Sequence, residues 1–283
     1  VNILVVGRGQ LGTYLYNRFS ANPLIQGGRV QQWWADISHL AREHASKFDY
    51  IINAAGKTDL KWCEENAREA FRSNVECPQH LAQLGVPLIH LSSGCVWDGP
   101  FENGTHGFTP YSRPTPASYY AWTKAACDAL LISNLPRTTH ILRPRQVFTD
   151  QPSPRNTLMK FLQYDALIDT PNSMTSAESI WRAVEYLISH PTETGRIWNI
   201  ADLGITTPYE VGVLLAQAGL RELPTILAKD QLDRWHKPKR VDTVLSDPLA
   251  ESLFKPQRIE TSLAEAIAGL ARNMSALPSV TNE

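Results

Sequence analysis

The sequence has little of what would direct it to a membrane, a nucleic acid or a disulfide framework. No apolar run nears the roughly 18 residues of a spanning helix, and the opening VNILVVG is too short and too soon ended by glycine for a signal peptide. Net charge is also small. The 27 Lys and Arg against 28 Asp and Glu leave a formal charge of -1, which offers no basic surface to nucleic acid or anionic lipid. Only four cysteines occur, Cys63, Cys77, Cys95 and Cys127, with no CxxC pair, and only His80 stands near one at a spacing a metal uses. They read as reduced, mostly buried thiols, with no metal site. Internal repeats and low-complexity tracts are lacking too. These absences leave a soluble, cytoplasmic chain with a small-molecule partner; the oligomer stays open, a homodimer included.

What is present is an alternation of buried strands and helices. NILVV is a continuous apolar run of the kind a strand buried on both faces needs, and similar runs follow at Tyr50 to Ile52, Leu88 to Leu91 and His140 to Leu142. A helix follows the first run directly and each later run is preceded by a segment with helical spacing, which predicts a parallel sheet covered on both sides. After Pro144 the pattern is punctuated by TDQPSPRN and DTPNSMTS. A helix carrying Trp181, Val184, Leu187 and Ile188, the strand-like RIWNIA, and helical pieces at Pro208 to Ala218 and Ser262 to Arg272 follow. The tail SALPSVTNE is expected to fray.

The first strand runs into GRGQLG, with Gly7, Gly9 and Gly12 spaced as G-x-G-x-x-G before a helix. The first glycine permits the turn, the second lets backbone approach a pyrophosphate, and the third lets helix and strand pack closely. This predicts dinucleotide binding at Gly7, Arg8, Gly9, Gln10, Leu11 and Gly12. The choice of cofactor turns on the second strand. If that strand is PLIQ, it ends at Gly27, Gly28 and Arg29 without an acid, which favours NADP, with Arg8 as a second contact to the 2′-phosphate. If it is RVQQWW, Asp36 is placed to bind the ribose and NAD is favoured.

Further on stands SYYAWTKAACDALL. At about 100° per residue Trp122, Ala126, Ala129 and Leu130 share one side with Tyr119 beside them, so that side is expected to be core. Tyr120 and Lys124 are one turn apart on the opposite face. A cation held near a phenol favours the phenolate and lowers a pKa that starts near about 10, as an acid/base catalyst requires.

With the glycine loop, FDYIINAAG, LIHLSSGCVWDG and YYAWTK in order, the chain resembles an extended short-chain dehydrogenase/reductase, most closely the dTDP-4-dehydrorhamnose reductase (RmlD-like) group. The likeness runs from Val1 to about Phe148 and more loosely through Ala201. It implies a Rossmann-type doubly wound α/β sheet with a smaller C-terminal substrate-binding domain. The division it gives is residues 1–149 with 174–201 for the dinucleotide, and 150–173 with 202–283 for the substrate. It also implies that Ser93 hydrogen-bonds the substrate carbonyl, that Tyr120 exchanges the proton, and that Lys124 holds the nicotinamide ribose while depressing the tyrosine pKa. Asp36 matches a third-strand aspartate near the adenine, which supports the shorter second strand and NADPH over NAD. Ala54, Ala55 and Gly56 match the strand end along which the cofactor runs, and Asn74 a residue of the core or of a proton relay.

The chain also departs from that group. Its glycine loop is one residue shorter between the first two glycines, and Gly94 and Cys95 follow Ser93 where Asp-Tyr is usual in the reductases and Asp-Glu in the dehydratases. Dehydration therefore lacks its extra acid and base. The activity implied is NADPH-dependent reduction of a keto group, on a nucleotide-activated 4-keto-6-deoxysugar. A regulatory subunit without turnover and an epimerase with retained NAD are the alternatives. In WHKPKR, Lys239 and Arg240 are candidate phosphate ligands, and Arg145, just past the strand bearing Arg143, is a candidate for the substrate cleft.

Overall fold

The computed structural model describes the chain except residues 23–27, 100, 102–105, 135–137 and 277–283. Its centre is one parallel sheet of six strands, with β1 (Ile3–Val6), β2 (Val30–Trp33), β3 (Tyr50–Asn53), β4 (Leu88–Leu91) and β5 (Thr139–Pro144). Short strands β6 (Val147–Phe148), β7 (Ala166–Ile168) and β8 (Thr175–Ser176) come next, and β9 (Ile197–Ile200) completes the sheet before β10 (Thr225–Leu227). The order is β2-β1-β3-β4-β5-β9. The chain therefore reverses its direction of travel across the sheet between β1 and β3, and the crevice there, at the carboxyl ends, is where such sheets bind ligands.

Strand alternation sends Ile3 and Val5 to one face and Leu4 and Val6 to the other, and both faces are covered. Helices α1 (Gln10–Ser20) and α8 (Ala177–Ser189) cover the first. Helices α2 (Arg42–Ala45), α5 (Cys77–Gln83) and α6 (Tyr119–Asn134) cover the second. Between them α3 (Leu60–Glu65) and α4 (Ala67–Phe71) lead into a π-helical turn at Arg72–Glu76.

A second core forms around Phe148, Phe161, Leu167, Val211, Leu263 and Leu270. It joins α7 (Thr157–Phe161) and α9 (Pro208–Gln217) to the long C-terminal helix, with β7 paired to β10. The α9 start is legible in TTPYE: the Thr207 side chain accepts from the Glu210 N–H, Glu210 reaches back to the Thr207 N–H, and Pro208 opens the first turn. Helix α10 (Lys229–Trp235) buries no side chain. Helix α11 (Pro248–Phe254) packs through Ala250 and Phe254 on the first core, against Trp198, and α12 (Ile259–Ser275) closes the second. Residues 248–254 thus serve the sheet, although the sequence division puts them with the smaller unit. No helix among the described residues is long and apolar enough to cross a membrane. Most of the tail SALPSVTNE lies outside the described residues.

Candidate active site

The glycine turn sits at the carboxyl end of β1. Gly7 has φ +103°, and a Cβ on it would stand 2.8 Å from the Ala55 nitrogen; one on Gly12 would stand 2.2 Å from the Gly7 oxygen. No side chain fits either place, so helix α1 lies directly on the turn and on the end of β3. A Cβ on Gly9 would meet nothing within 4 Å. Space for a ligand therefore opens in front of the N-terminus of α1, where free N–H groups and the helix dipole favour an anion. Gln10 donates to Thr149 across the crevice, Leu11 packs into the first core, and Ala54 packs beside it.

The second strand is Val30–Trp33, within the longer of the two readings; PLIQ lies outside the described residues. This overturns the placement of Arg29 and the third-strand match of Asp36, which instead follows the second strand. Strand length then no longer favours NADPH, and the choice of cofactor turns on the cations at the carboxyl end of that strand. Ile3 pairs with Val30, and the Ile3 N–H donates to the Arg29 carbonyl, so Arg29 marks the amino end of the sheet. It is separated from the glycine turn by the length of a strand, bonds Gln31 and lies over Phe48. The cations at the carboxyl end of β2 are instead Arg8, 5.9 Å from the Trp34 ring, and Arg72, 2.8 Å from Asp36. The Asp36 carboxylate also accepts from the Ser38 N–H and hydroxyl, contacts that hold it below the usual carboxylate range. Sequence reasoning missed Arg72, which is far along the chain in the π-helical turn.

Ser93 lies two residues past β4 and accepts from the Cys95 N–H at 3.1 Å. The Ser93 side chain lies near enough to the Tyr120 phenol to lower its pKa. Lys124 donates to the Leu91 carbonyl at 3.0 Å, and a Cβ on Gly56 would stand 3.7 Å from its Nζ. The triad and the end of β3 therefore meet at one point. The helix phase is the reverse of the predicted one. Tyr120, Ala121, Thr123, Lys124, Cys127, Asp128 and Leu131 are the buried residues, while Trp122 is 45% exposed and stacks on Tyr119 and Phe71. The polar face of α6 lies on the sheet because it carries the site and because Asp128 pairs with Arg143 at 2.7 Å. Asn74 accepts from the Lys57 N–H and donates to Thr123, fastening the turn after β3 to α6.

Burial pushes the Tyr120 phenol well above its ordinary range. Cys95 and Cys63 add to this, while Ser93 and the Arg145 cation oppose it. Among the groups acting most strongly on the phenol the cation is thus Arg145, in the part that helical spacing and the family resemblance assign to Lys124. Burial lowers Lys124 itself. Such a phenol is protonated at neutral pH and is placed to give a proton rather than to take one.

Arg145 is buried, donating to Cys95 Sγ at 3.2 Å, to Asn172 at 3.0 Å and to the Val241 carbonyl. Gly94 has no Cβ because Leu245 and Arg145 fill that space. Lys239 is bound to Asp98 at 2.7 Å, which draws its charge away from a phosphate. Arg240 contacts His236 and, among the described residues, no carboxylate. Two cations missed by sequence reasoning stand with it. Arg155 donates to Thr58 at 2.7 Å, and half-buried Lys160 on α7 is lowered by burial, then by Arg240 and Arg155. Cys95 acts on Lys160 as well, so the cations border the triad. Among the described residues no group of three or more His, Cys, Asp or Glu is placed to hold a metal ion. Cys63 and Cys127 are buried, and Cys77 and Cys95 partly so.

Comparisons with known proteins add to this geometry. The family described as RmlD substrate binding domain matches residues 1–271. A bifunctional dTDP-4-dehydrorhamnose 3,5-epimerase/dTDP-4-dehydrorhamnose reductase of Arabidopsis thaliana is 27% identical over 226 residues, 74% of this chain and 73% of its own. Other curated relatives are matched over about a quarter to a half of their own length. Among solved structures, the L780 UDP-rhamnose synthase of Acanthamoeba polyphaga mimivirus superposes with a TM-score of 0.84 at 23% identity, over 95% of this chain and 99% of that one. The dTDP-4-dehydrorhamnose reductase of Bacillus anthracis in complex with NADP gives 0.73 at 16% identity, over 97% and 98%. These likenesses show the fold.

Proposed function

The chain belongs to the RmlD substrate-binding domain family, and on that footing we propose that it is an NADPH-dependent reductase of the keto group of a nucleotide-activated 4-keto-6-deoxysugar. The observation that carries this is the meeting of Ser93, Tyr120 and Lys124 beside Gly56, next to a glycine turn with open space before Gly9. The residues fit a dinucleotide. Its pyrophosphate would lie at the N-terminus of α1, its nicotinamide ribose on Lys124, and its 2′-phosphate by Arg8 and Arg72. A bound reduced nicotinamide supplies the hydride. Ser93 then holds the carbonyl oxygen, and Tyr120 passes its proton to that oxygen as the C–O double bond becomes a single bond; solvent restores the phenol. Arg145 keeps the phenol's pKa from rising further, and Lys160, Arg155 and Arg240 hold the diphosphate. The smaller unit is the substrate-binding part.

The test is to incubate the protein with NADPH and a dTDP- or UDP-linked 4-keto-6-deoxyhexose. One NADPH consumed per 4-hydroxy product supports the reading; tight binding of NADPH with no turnover on any keto-sugar nucleotide would favour the regulatory subunit instead.

A second reading is favoured by Cys95 and Lys160, two further proton-transferring groups at the same cleft, and by the bifunctional name of the Arabidopsis relative. Epimerisation beside a ketone requires only that a carbon-bound proton be removed and returned on the other face. A free amine on Lys160, made more available by its lowered pKa, and the Cys95 thiol are the groups at hand. Deuterium entering C3 and C5 in heavy water without NADPH, and lost in Cys95→Ala and Lys160→Ala, is the expected result. Unlabelled substrate would leave reduction as the only activity.

A further inference from the structure

Three buried side chains unused by this chemistry form a polar chain beneath the site. Asn53 ends β3, His90 lies within β4, and Cys127 sits on the buried face of α6. All three have no exposed surface. The Ala55 N–H donates to Asn53 Oδ1 at 3.0 Å, and Asn53 Nδ2 lies 3.0 Å from His90 Nδ1. These contacts settle where the protons are. With its oxygen taken by Ala55, the Asn53 amide presents its nitrogen to the ring, so Nδ1 accepts and the proton of the neutral imidazole is on Nε2. That N–H faces Cys127 Sγ, 3.8 Å away. Neutrality is enforced, because burial and then the Lys124 cation hold His90 well below its ordinary pKa.

The two ends of the chain matter. Ala55 belongs to the strand end on which we place the cofactor, and Cys127 is three residues beyond Lys124, which bonds the carbonyl of Leu91, next to His90. Neighbouring strands face His90 with Asn53 and Ile141, and α6 faces it with Lys124 and Cys127. The rest of β4 is apolar, so a leucine at position 90 would suffice for packing. A polar residue there has to be desolvated and fully paired.

We propose that His90 is a positioning residue: its neutral Nε2–H form couples the Ala54–Gly56 backbone to α6 and sets Lys124 at the height from which it reaches the nicotinamide ribose. The proposal rests on the cofactor placement above, but it is read out by binding alone. His90→Leu leaves the Asn53 amide without its acceptor, and we expect the Kd for NADPH, followed by fluorescence without substrate, to rise about tenfold. His90→Gln, which returns an acceptor, should recover most of this.

Asn53→Asp provides the second test. A carboxylate at that position still accepts from Ala55 but has no proton for His90, so the imidazole must turn its own N–H to it and becomes easier to protonate. Affinity for NADPH should then fall as pH drops through neutrality, in a way the wild type does not show. A role confined to packing would lower the melting temperature of these variants and leave Kd and its pH profile unchanged, and that outcome overturns the proposal. If His90→Leu does not fold, His90→Gln and Asn53→Asp decide. A wild type that binds NADPH without turnover would remove the reductase reading and leave the coupling measurable; one that binds no NADPH removes both.

Discussion

His140 gives a sharp test of the electrostatics of the sheet. It stands in β5, 5% exposed, and its Nδ1 accepts from the Trp198 indole N–H at 3.1 Å. The ring is therefore neutral, with its proton on Nε2. Burial first, then the nearby Arg196, lowers its pKa from 6.5 to about 4. Because the folded value is the lower, the unfolded chain takes up the proton first. The stability His140 lends is complete above the unfolded pKa and is lost as pH falls from 6.5 toward about 4. At pH 5.5 the loss is about 1.4 kcal/mol, and below the folded pKa it approaches about 3.4 kcal/mol, from a gap of about 2.5 units at 1.36 kcal/mol each. For a chain of this size the first figure is about 2 to 3 °C in melting temperature. His90 adds a loss of the same sign. The assay compares urea unfolding at pH 7.5 and about 5.5 for the wild type and for His140→Gln, which keeps an acceptor for Trp198 but does not titrate. Buried carboxylates such as Asp202 and Asp247 titrate in both proteins and cancel in the difference. The wild type should lose about 1.4 kcal/mol more than the variant. Equal losses would refute the reasoning, as would a larger loss in the variant.

Tyr120→Phe should bring turnover to background while leaving NADPH affinity and folding intact, because only the transferable proton is removed. Tyr119→Phe, on the outer face of α6, should change kcat little; a matching loss in both would show that the helix phase is wrong. Arg8→Ala should raise KM for NADPH about tenfold or more and leave that for NADH nearly unchanged, since one charge-assisted contact is worth about 1.5 to 3 kcal/mol, and Arg72→Ala should do so by less because Asp36 holds its guanidinium. Arg29→Ala should affect neither cofactor, and a selective effect on NADPH would restore the reading the fold overturns. Lys160→Ala and Arg240→Ala should weaken binding of the sugar nucleotide by a similar factor, measured by calorimetry, and Lys239→Ala by less because Asp98 holds its ammonium. Equal effects from all three would mean that Lys239 leaves Asp98 for the phosphates.

Much of the sheet is legible because its inner strands are buried on both faces. Ile3–Val6, Leu88–Leu91 and Thr139–Pro144 are fully buried, and continuous apolar runs are what that burial requires. The second strand is different. It lies at the edge of the sheet, every residue of VQQW is only partly buried, and neither apolar continuity nor strict alternation marks it. PLIQ is the more apolar candidate, so hydrophobicity points to it and carries Arg29 to the wrong end of the sheet. Lys160 and Arg72 had no local signal at all. One follows an apolar pair in TLMKF and the other closes a short helix, and only the fold brings them to Arg240 and to Asp36.

Helix α6 shows why composition misjudged the face that mattered most. An amphipathic helix usually buries its apolar stripe, and here Trp122, Tyr119 and Phe71 do make an aromatic stack, but at the surface. The inward face carries Tyr120, Lys124 and Asp128, at i, i+4 and i+8, and each has its reason to be polar. The first two reach the cleft, and the third neutralises Arg143, whose guanidinium also lies 4.9 Å from the Trp97 ring. That spacing was in the sequence. An acid one turn beyond Tyr-x-x-x-Lys, together with an arginine in an otherwise apolar strand, is a pair that water would make nearly worthless and that burial makes costly to break, at about 3 to 5 kcal/mol when one partner is removed. Two such charges, one on the helix and one in the strand it must cover, point the polar face inward, and they were the stronger evidence for its orientation than the tryptophan opposite.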